Sequence, residues 1–93
     1  MFTSPRPNLY ESSNGFTVEV LGTTGLIYSE RGWKMFVDSE VSTGNEGMIV
    51  YSSSIKRWEE PHTTDAISDA EKQRILNNIQ DAFRFQGFEI HII

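Results

Sequence analysis

The sequence predicts an α+β domain in which an antiparallel sheet carries one long helix on one face. Two patterns point to this class. Apolar and polar residues alternate through the first half of the chain, which is typical of half-buried strands, and a later segment repeats apolar residues at helical spacing. The chain has 93 residues, a length that supports one core rather than two. We therefore expect a single domain with the approximate element order ββββαβ.

The first 15 residues show neither pattern. They contain Pro5 and Pro7 and end in the turn-forming run Ser-Ser-Asn-Gly at residues 12–15. We interpret residues 1–15 as an N-terminal arm, and we place the single α+β domain over residues 16–93.

Four strands are predicted between residues 16 and 51. The first alternates from Phe16 to Leu21, and the second follows a glycine-containing turn and covers residues 26–28. The third alternates from Trp33 to Asp38, and the fourth covers residues 48–51 after a polar loop. Short turns between successive strands predict an antiparallel meander.

The helix is predicted from its two ends and its apolar stripe. Ser68 and Glu71 have the spacing of a capping box, in which the serine hydroxyl accepts a hydrogen bond from the third helical amide. Gly87 is expected to end the helix in the left-handed conformation. The stripe between these ends consists of Ile75, Leu76, Ile79, Ala82 and Phe83. Residues 52–64 read as an irregular connection, and residues 88–93 alternate again as a final strand.

Charge and composition restrict the kind of partner. The chain has 8 basic and 13 acidic residues and a formal net charge of -5 at pH 7. This balance argues against nucleic acid or an anionic membrane as the partner and allows a basic protein. Cysteine is absent, which excludes disulfides and thiolate metal sites. We expect a cytoplasmic protein, since no apolar run has the length of a membrane span or the form of an export signal.

No arrangement of side chains predicts catalysis. His62 lies in an acidic stretch with Glu59, Glu60 and Asp65, but the spacing matches no known metal loop, and a solvated acidic loop is favoured. His91 alternates with isoleucines on the final strand and is interpreted as a surface or edge residue. We expect no metal, no cofactor and no enzymatic activity. A small metal-dependent enzyme built on His62 is the weakest alternative.

The carboxylates between the third strand and the helix predict a protein-binding surface. Acidic groups speed the encounter with a basic partner, and an aromatic side chain supplies affinity once it is desolvated. The candidate partner-binding residues are Asp38, Glu40, Tyr51, Arg57, Trp58, Glu59 and Glu60. Two alternatives stay open: Trp58 as a core residue, and Arg57 paired internally with Glu59 or Glu60.

Several segments, taken in order, resemble the immunity protein 74 family, whose members are small antitoxins encoded beside bacterial polymorphic toxins. The segments are GFTVEVLG at residues 15–22, Gly25 with Leu26, FVDSE at residues 36–40, SSIKRWE at residues 53–59 ahead of Pro61 and His62, and FQGF at residues 85–88. The resemblance implies a non-enzymatic immunity protein that binds a cognate toxin domain at or beside its active site and blocks it.

The activity of the toxin is not implied by this resemblance. Toxins of such systems are often nucleases or ADP-ribosyltransferases with basic clefts, and an acidic protein is a suitable plug for such a cleft on electrostatic grounds. An alternative of a different class is a small adaptor or oligomerisation domain that pairs through a sheet edge, which the apolar Ile92 and Ile93 support.

Overall fold

A computed structural model describes residues 2–22, 24–41, 48–59 and 67–93. Its elements are β1 (Phe2–Arg6), β2 (Leu9–Ser12), β3 (Phe16–Val20), β4 (Gly25–Glu30), β5 (Trp33–Val41), β6 (Met48–Val50), a short 3-10 helix (Ser52–Ser54), α1 (Asp69–Phe85) and β7 (Ile90–Ile92). The seven strands form one sheet in chain order. The α+β class is confirmed, but the order ββββαβ is only partly right, because the helix follows six strands.

The two additional strands lie in residues 1–15, where the sequence analysis expected an arm. β1 pairs antiparallel with β2, and β2 pairs antiparallel with β3. All of β1 after Phe2 is exposed, so this strand has no buried face that could give its sequence a period of two. Phe2 itself is partly buried and packs edge-on against Phe16, with ring centroids 5.6 Å apart.

The predicted antiparallel meander is confirmed from β3 to β6. Ile27 of β4 lies opposite Phe36 of β5, and Glu40 of β5 lies opposite Ile49 of β6. The turn between β4 and β5 places Arg31 and Gly32 at φ values of 54° and 80°. Two positive φ angles in a two-residue loop define a type I′ turn, whose twist matches that of the flanking strands.

β7 departs from the meander because it runs parallel to β6, with Met48 opposite Ile90 and Val50 opposite Ile92. Parallel neighbours need a long crossover connection, which is usually helical. Here α1 lies in that connection. The final strand therefore joins the sheet as predicted, but in a direction that the meander pattern did not predict.

Both predicted ends of α1 are confirmed. The Ser68 hydroxyl accepts a hydrogen bond from the Glu71 backbone amide at 3.1 Å. At the other end Gly87 has a φ of 88°. The Phe88 amide donates to the Phe83 carbonyl and the Gly87 amide to the Arg84 carbonyl, each at 3.0 Å, which is the Schellman arrangement.

The core lies between α1 and one face of the sheet, here called the inner face. It contains all five residues of the predicted helix stripe. The sheet contributes alternate residues of the central strands, including Val18, Leu26, Tyr28, Met35 and Val37, and the connection after β6 adds Ile55 and Trp58. In the parts of the chain that the structure describes, no helix combines the length and apolar character needed to cross a bilayer.

Candidate functional site

Three neighbouring strands carry three apolar residues in a row, so each places at least one apolar side chain on the face of the sheet that points away from α1. The triplets occupy residues 26–28 in β4, 35–37 in β5 and 48–50 in β6. The middle members, Ile27, Phe36 and Ile49, point away from α1 and are less buried than their neighbours. Antiparallel sheets that are covered on one face usually carry polar residues on the other. The apolar residues on this outer face, with Ile27 opposite Phe36 and Ile49 opposite Glu40, therefore indicate an interaction surface.

Phe36 is the most prominent residue of this outer face, with 46% of its surface exposed. Its ring lies over Gly25, and a Cβ atom at position 25 would overlap ring atoms Cε1 and Cζ. Beside it, Leu21 is 47% exposed, and its amide donates to the Gly25 carbonyl at 2.9 Å. The missing side chain of Gly25 thus makes room for the Cε1–Cζ edge of the Phe36 ring.

Carboxylates flank this apolar surface. Asp38 and Glu40 follow Phe36 at alternate positions of β5 and are exposed. The Tyr51 amide donates to the Asp38 carbonyl at 3.0 Å, and the Tyr51 hydroxyl donates to the Glu40 carboxylate. This hydrogen bond to Glu40 is the main reason that the pKa of Tyr51 is raised above its ordinary value. Among the described residues, the Asp38 carboxylate has neither a hydrogen bond nor an ion pair.

These residues form one continuous surface, which we call the outer patch. Its members are Leu21, Ile27, Phe36, Asp38, Glu40, Ile49 and Tyr51. The structure therefore brings together three of the residues that the sequence predicted for partner binding: Asp38, Glu40 and Tyr51.

Trp58 is not part of the outer patch. It is only 2% exposed and lies in the core, with ring centroids 5.6 Å from Trp33 and 6.3 Å from Tyr28. The structure thus favours the core interpretation that the sequence left open. The exposed aromatic residue beside the carboxylates is Phe36, not Trp58.

The other predicted residues lie elsewhere or outside the described ranges. Arg57 and Glu59 are exposed near the start of β5, where the Glu59 amide donates to the Lys34 carbonyl at 2.7 Å. Neither side chain forms an ion pair with a described residue. Glu60 and His62 lie outside the described residues, and with them most of the acidic stretch considered for a metal. Within the described ranges, no cluster of His, Cys, Asp or Glu could hold a metal ion.

The apolar half of the outer patch was missed by sequence reasoning. Alternation along this strand groups Phe36 with Lys34 and Asp38, on the side opposite Met35 and Val37, and so predicts that Phe36 lies on the polar side. The available signal was the triplets themselves, since three consecutive apolar residues in a strand must place at least one on each face. Triplets on three adjacent strands predict apolar side chains on both faces of the sheet.

A cleft lies on the helix side of the sheet. It has a volume of about 370 Å³ and opens between the β2–β3 turn, the end of β4 and α1. There the Glu30 carboxylate accepts hydrogen bonds from Tyr28 at 2.9 Å and from Arg74 at 2.8 and 2.9 Å, while Asn78 donates to the Tyr28 hydroxyl at 2.9 Å. Burial raises the pKa of Tyr28, and the Glu30 carboxylate acts in the same direction. These contacts connect α1 to β4, which is a structural role.

A model of the family described as immunity protein 74 matches residues 14–93. The chain belongs to the immunity protein 74 family. A search of curated proteins and a search of solved structures gave no match.

Membership of this family identifies the class of function. Immunity proteins bind a toxin protein and are generally not enzymes. The match includes strands β3 to β7, α1 and the whole outer patch, and leaves out the β1–β2 hairpin.

Proposed function

We propose that this immunity protein neutralises its cognate toxin domain by placing the outer patch against it and covering the active site, without catalysing a reaction. The observation that carries the proposal is the half-exposed Phe36 ring, which lies among apolar neighbours on a sheet face flanked by Asp38 and Glu40. A central aromatic side chain with a polar rim is the usual arrangement of a tight protein interface.

The outer patch is ordered before a partner arrives. Gly25 provides the space that the Phe36 ring occupies, and the hydrogen bond from Tyr51 holds the Glu40 carboxylate. Residues of paired strands have fixed backbones. Association therefore costs little conformational entropy at this surface, which favours high affinity for a given buried area.

Charge favours a basic toxin surface. The chain has a net charge of -5, and the Asp38 carboxylate has no partner among the described residues. Clefts that bind phosphate-containing substrates are basic, as in a nuclease or an ADP-ribosyltransferase, and an acidic sheet face matches them. In this proposal the protein acts in the cytoplasm of the producing cell and needs no cofactor, nucleic acid or membrane.

Co-expression with the toxin domain encoded beside this protein tests the proposal. The wild-type protein should protect cells and form a complex that survives size exclusion. Phe36→Ala should weaken the complex by roughly 30-fold, the loss expected for a hot-spot residue. Phe88→Ala is the matched control, because Phe88 is 52% exposed but lies outside the outer patch. Cell death despite soluble wild-type protein would refute the proposed function, and equal affinities of the two variants would refute the outer patch as its site.

The contribution of the carboxylates can be measured separately. Asp38→Asn and Glu40→Gln should lower the association rate with the toxin more than they raise the dissociation rate. Added salt should reduce the association rate of the wild type, because the Debye length is about 8 Å at physiological ionic strength and shortens further. An association rate that does not depend on salt would remove the electrostatic part of the proposal.

A further inference from the structure

We propose that two copies of this chain pair through β7, antiparallel and about a two-fold axis at His91, so that their sheets become continuous. The sheet has two edges, β1 and β7, and they differ in their chemistry. β1 contains Pro5, its register shifts between Thr3 and Arg6, and Arg6 is charged. Each of these features hinders the addition of another strand. β7 reads Ile-His-Ile and has none of them.

The backbone of β7 presents hydrogen-bonding groups on its outer edge. The backbone amide and carbonyl of Ile93 both point toward β6 and the residues that follow β6. The amide donates to the Val50 carbonyl at 3.0 Å, and the carbonyl accepts from the Ser52 amide at 2.9 Å. Because these directions alternate along a strand, the amides and carbonyls of Ile90 and Ile92 point away from β6. No strand in the part of the chain that the structure describes pairs with that edge.

The sequence of β7 is its own complement. In an antiparallel pair centred on His91, Ile90 lies opposite Ile92 of the second copy, and Ile92 lies opposite Ile90. Each of these pairs exchanges two hydrogen bonds, and the two His91 residues face each other with Cα atoms about 4.5 Å apart. A two-fold axis requires such a self-complementary surface.

The surroundings of β7 also favour a second copy. Phe88, Ile92 and Ile93 are 52%, 37% and 59% exposed, so exposed apolar side chains lie on both sides of His91 in the chain. The nearest carboxylate along the strand, Glu89, is paired with Arg84 at 3.1 Å, and Glu40 is separated from His91 by Ile49. Uncompensated side-chain carboxylates are therefore kept away from the axis, while the net charge of -5 on each copy opposes association at long range.

The first measurement is sedimentation equilibrium of the purified chain without toxin, from about 10 µM to about 1 mM. We expect the dissociation constant of such a small interface to lie within this range. The mass should rise with concentration from 10.6 kDa to twice that value. Added salt should strengthen the dimer, since it screens the like net charges. This is opposite to the salt response expected for the toxin complex. A monomer at every concentration would overturn the proposal.

A charge exchange at the two-fold axis tests the register. His91→Lys and His91→Glu each place two like charges opposite each other, so each variant alone should be monomeric. An equimolar mixture should regain the dimer, because Lys then faces Glu. His91→Gln is the neutral control and should dimerise as the wild type does. His91 is exposed, so circular dichroism should show unchanged folding. Dimers of either charged variant alone would exclude an axis at His91.

The toxin supplies a further outcome. If hydrogen exchange shows the Ile90 and Ile92 amides protected only in the toxin complex and never in the concentrated free protein, the edge belongs to the toxin and self-pairing is wrong. Phe36→Ala should leave the dimer intact, because Phe36 lies on β5 away from this edge. The dimer and the neutralisation of the toxin can thus fail independently.

Discussion

Gly25 and Phe36 pack together because Gly25 has no Cβ atom. The Phe36 ring occupies the space that a Cβ atom would need. Gly25→Ala places a methyl group where the Phe36 ring now lies. The ring end can move toward solvent, so we expect a loss of about 1 kcal/mol in the free energy of unfolding, at the lower end for overpacking. Urea denaturation measures this loss, and weaker toxin binding should accompany it.

A double-mutant cycle separates this contact from a general effect of alanine at position 25. In a Phe36→Ala background the added methyl group meets no ring, so Gly25→Ala should cost almost nothing. The coupling free energy should be about 1 kcal/mol, as for residues in direct contact. Additive effects of the two substitutions would contradict the assigned contact.

Tyr28 should make the stability depend on alkaline pH. Its pKa is raised in the folded state by burial, with a further contribution from Glu30. Above about pH 10, the ordinary value for tyrosine, the unfolded chain loses this proton while the folded chain keeps it, so rising pH favours unfolding. The contribution of the protonated Tyr28 hydroxyl to the free energy of unfolding is therefore fully present below about pH 10 and decreases as the pH rises above that value.

The Tyr28→Phe variant is the control for this pH dependence. At neutral pH it should be less stable than the wild type by about 1 kcal/mol or more, because it loses the hydrogen bonds to Glu30 and from Asn78. Between about pH 9 and 11 its urea midpoint should fall less than that of the wild type, since the other tyrosines ionise in both proteins. Parallel pH profiles would show that Tyr28 does not contribute.

At single positions, the sequence predicted the exposure of carboxylates better than the exposure or burial of aromatic residues. Asp38 and Glu40 are exposed as charge alone suggests, because burying an unpaired carboxylate is costly. Aromatic side chains are stable in either location, so Trp58 and Phe36 could be assigned only from their neighbours. Trp58 has Tyr28 and Trp33 as neighbours in space, and neither is near it in the sequence.

Among the elements, α1 depends strongly on the glycine that ends it. Gly87 has a φ of 88°, a conformation that residues with a Cβ atom adopt at a cost. Gly87→Ala should lower the free energy of unfolding by about 1 kcal/mol. Gly87→Asn should cost less, because asparagine tolerates the left-handed region. Urea denaturation of the two variants gives the comparison, and equal losses would argue against a backbone origin.

The elements that the sequence predicted best are those with local signals. The capping box and the terminal glycine define α1 without reference to the sheet. β1 gave no signal because almost all of it is exposed, and its strand conformation comes from pairing with β2. The parallel direction of β7 could not be predicted either, since it depends on where the crossover through α1 returns to the sheet.

At the scale of the whole molecule, the β1–β2 hairpin should be needed for full stability. Phe2 packs against Phe16 and against Phe85, and Tyr10 also contacts Phe85, with ring centroids 5.5 to 6.4 Å apart. A chain reduced to residues 14–93 lacks Phe2 and Tyr10, and β3 becomes an edge strand in it. We expect a loss of more than about 2 kcal/mol, since each large side chain contributes about that much when buried.

Comparing the urea midpoints of the full chain and residues 14–93 tests this expectation. Phe2→Ala should show an intermediate midpoint, because it removes the two aromatic contacts of Phe2 and leaves the Tyr10 contact and the strand pairing. Equal midpoints for the full and shortened chains would instead support the arm that the sequence suggested, with the domain limited to residues 16–93.

The overall class followed from the sequence, and so did the grouping of Asp38, Glu40 and Tyr51 in the outer patch, but the apolar half of the patch did not. Net charge and strand alternation depend on many residues, so a wrong assignment at one position changes them little. The outer patch depends on register, which places Ile27 beside Phe36 and Asp38 beside Tyr51. Register is set by pairing across the sheet and is not encoded in any one segment.

The parallel pairing of β6 with β7 also has a consequence for the order of folding. β6 and β7 are separated by the whole of α1, so their pairing closes a longer loop than the pairing of any other neighbouring strands in the sheet. Closing a longer loop costs more entropy, and distant contacts slow folding. We expect β7 to be the last strand to join the sheet. A newly made chain would then expose the pairing edge of β6 for longest, which makes this stage the one most vulnerable to misassembly with neighbouring chains.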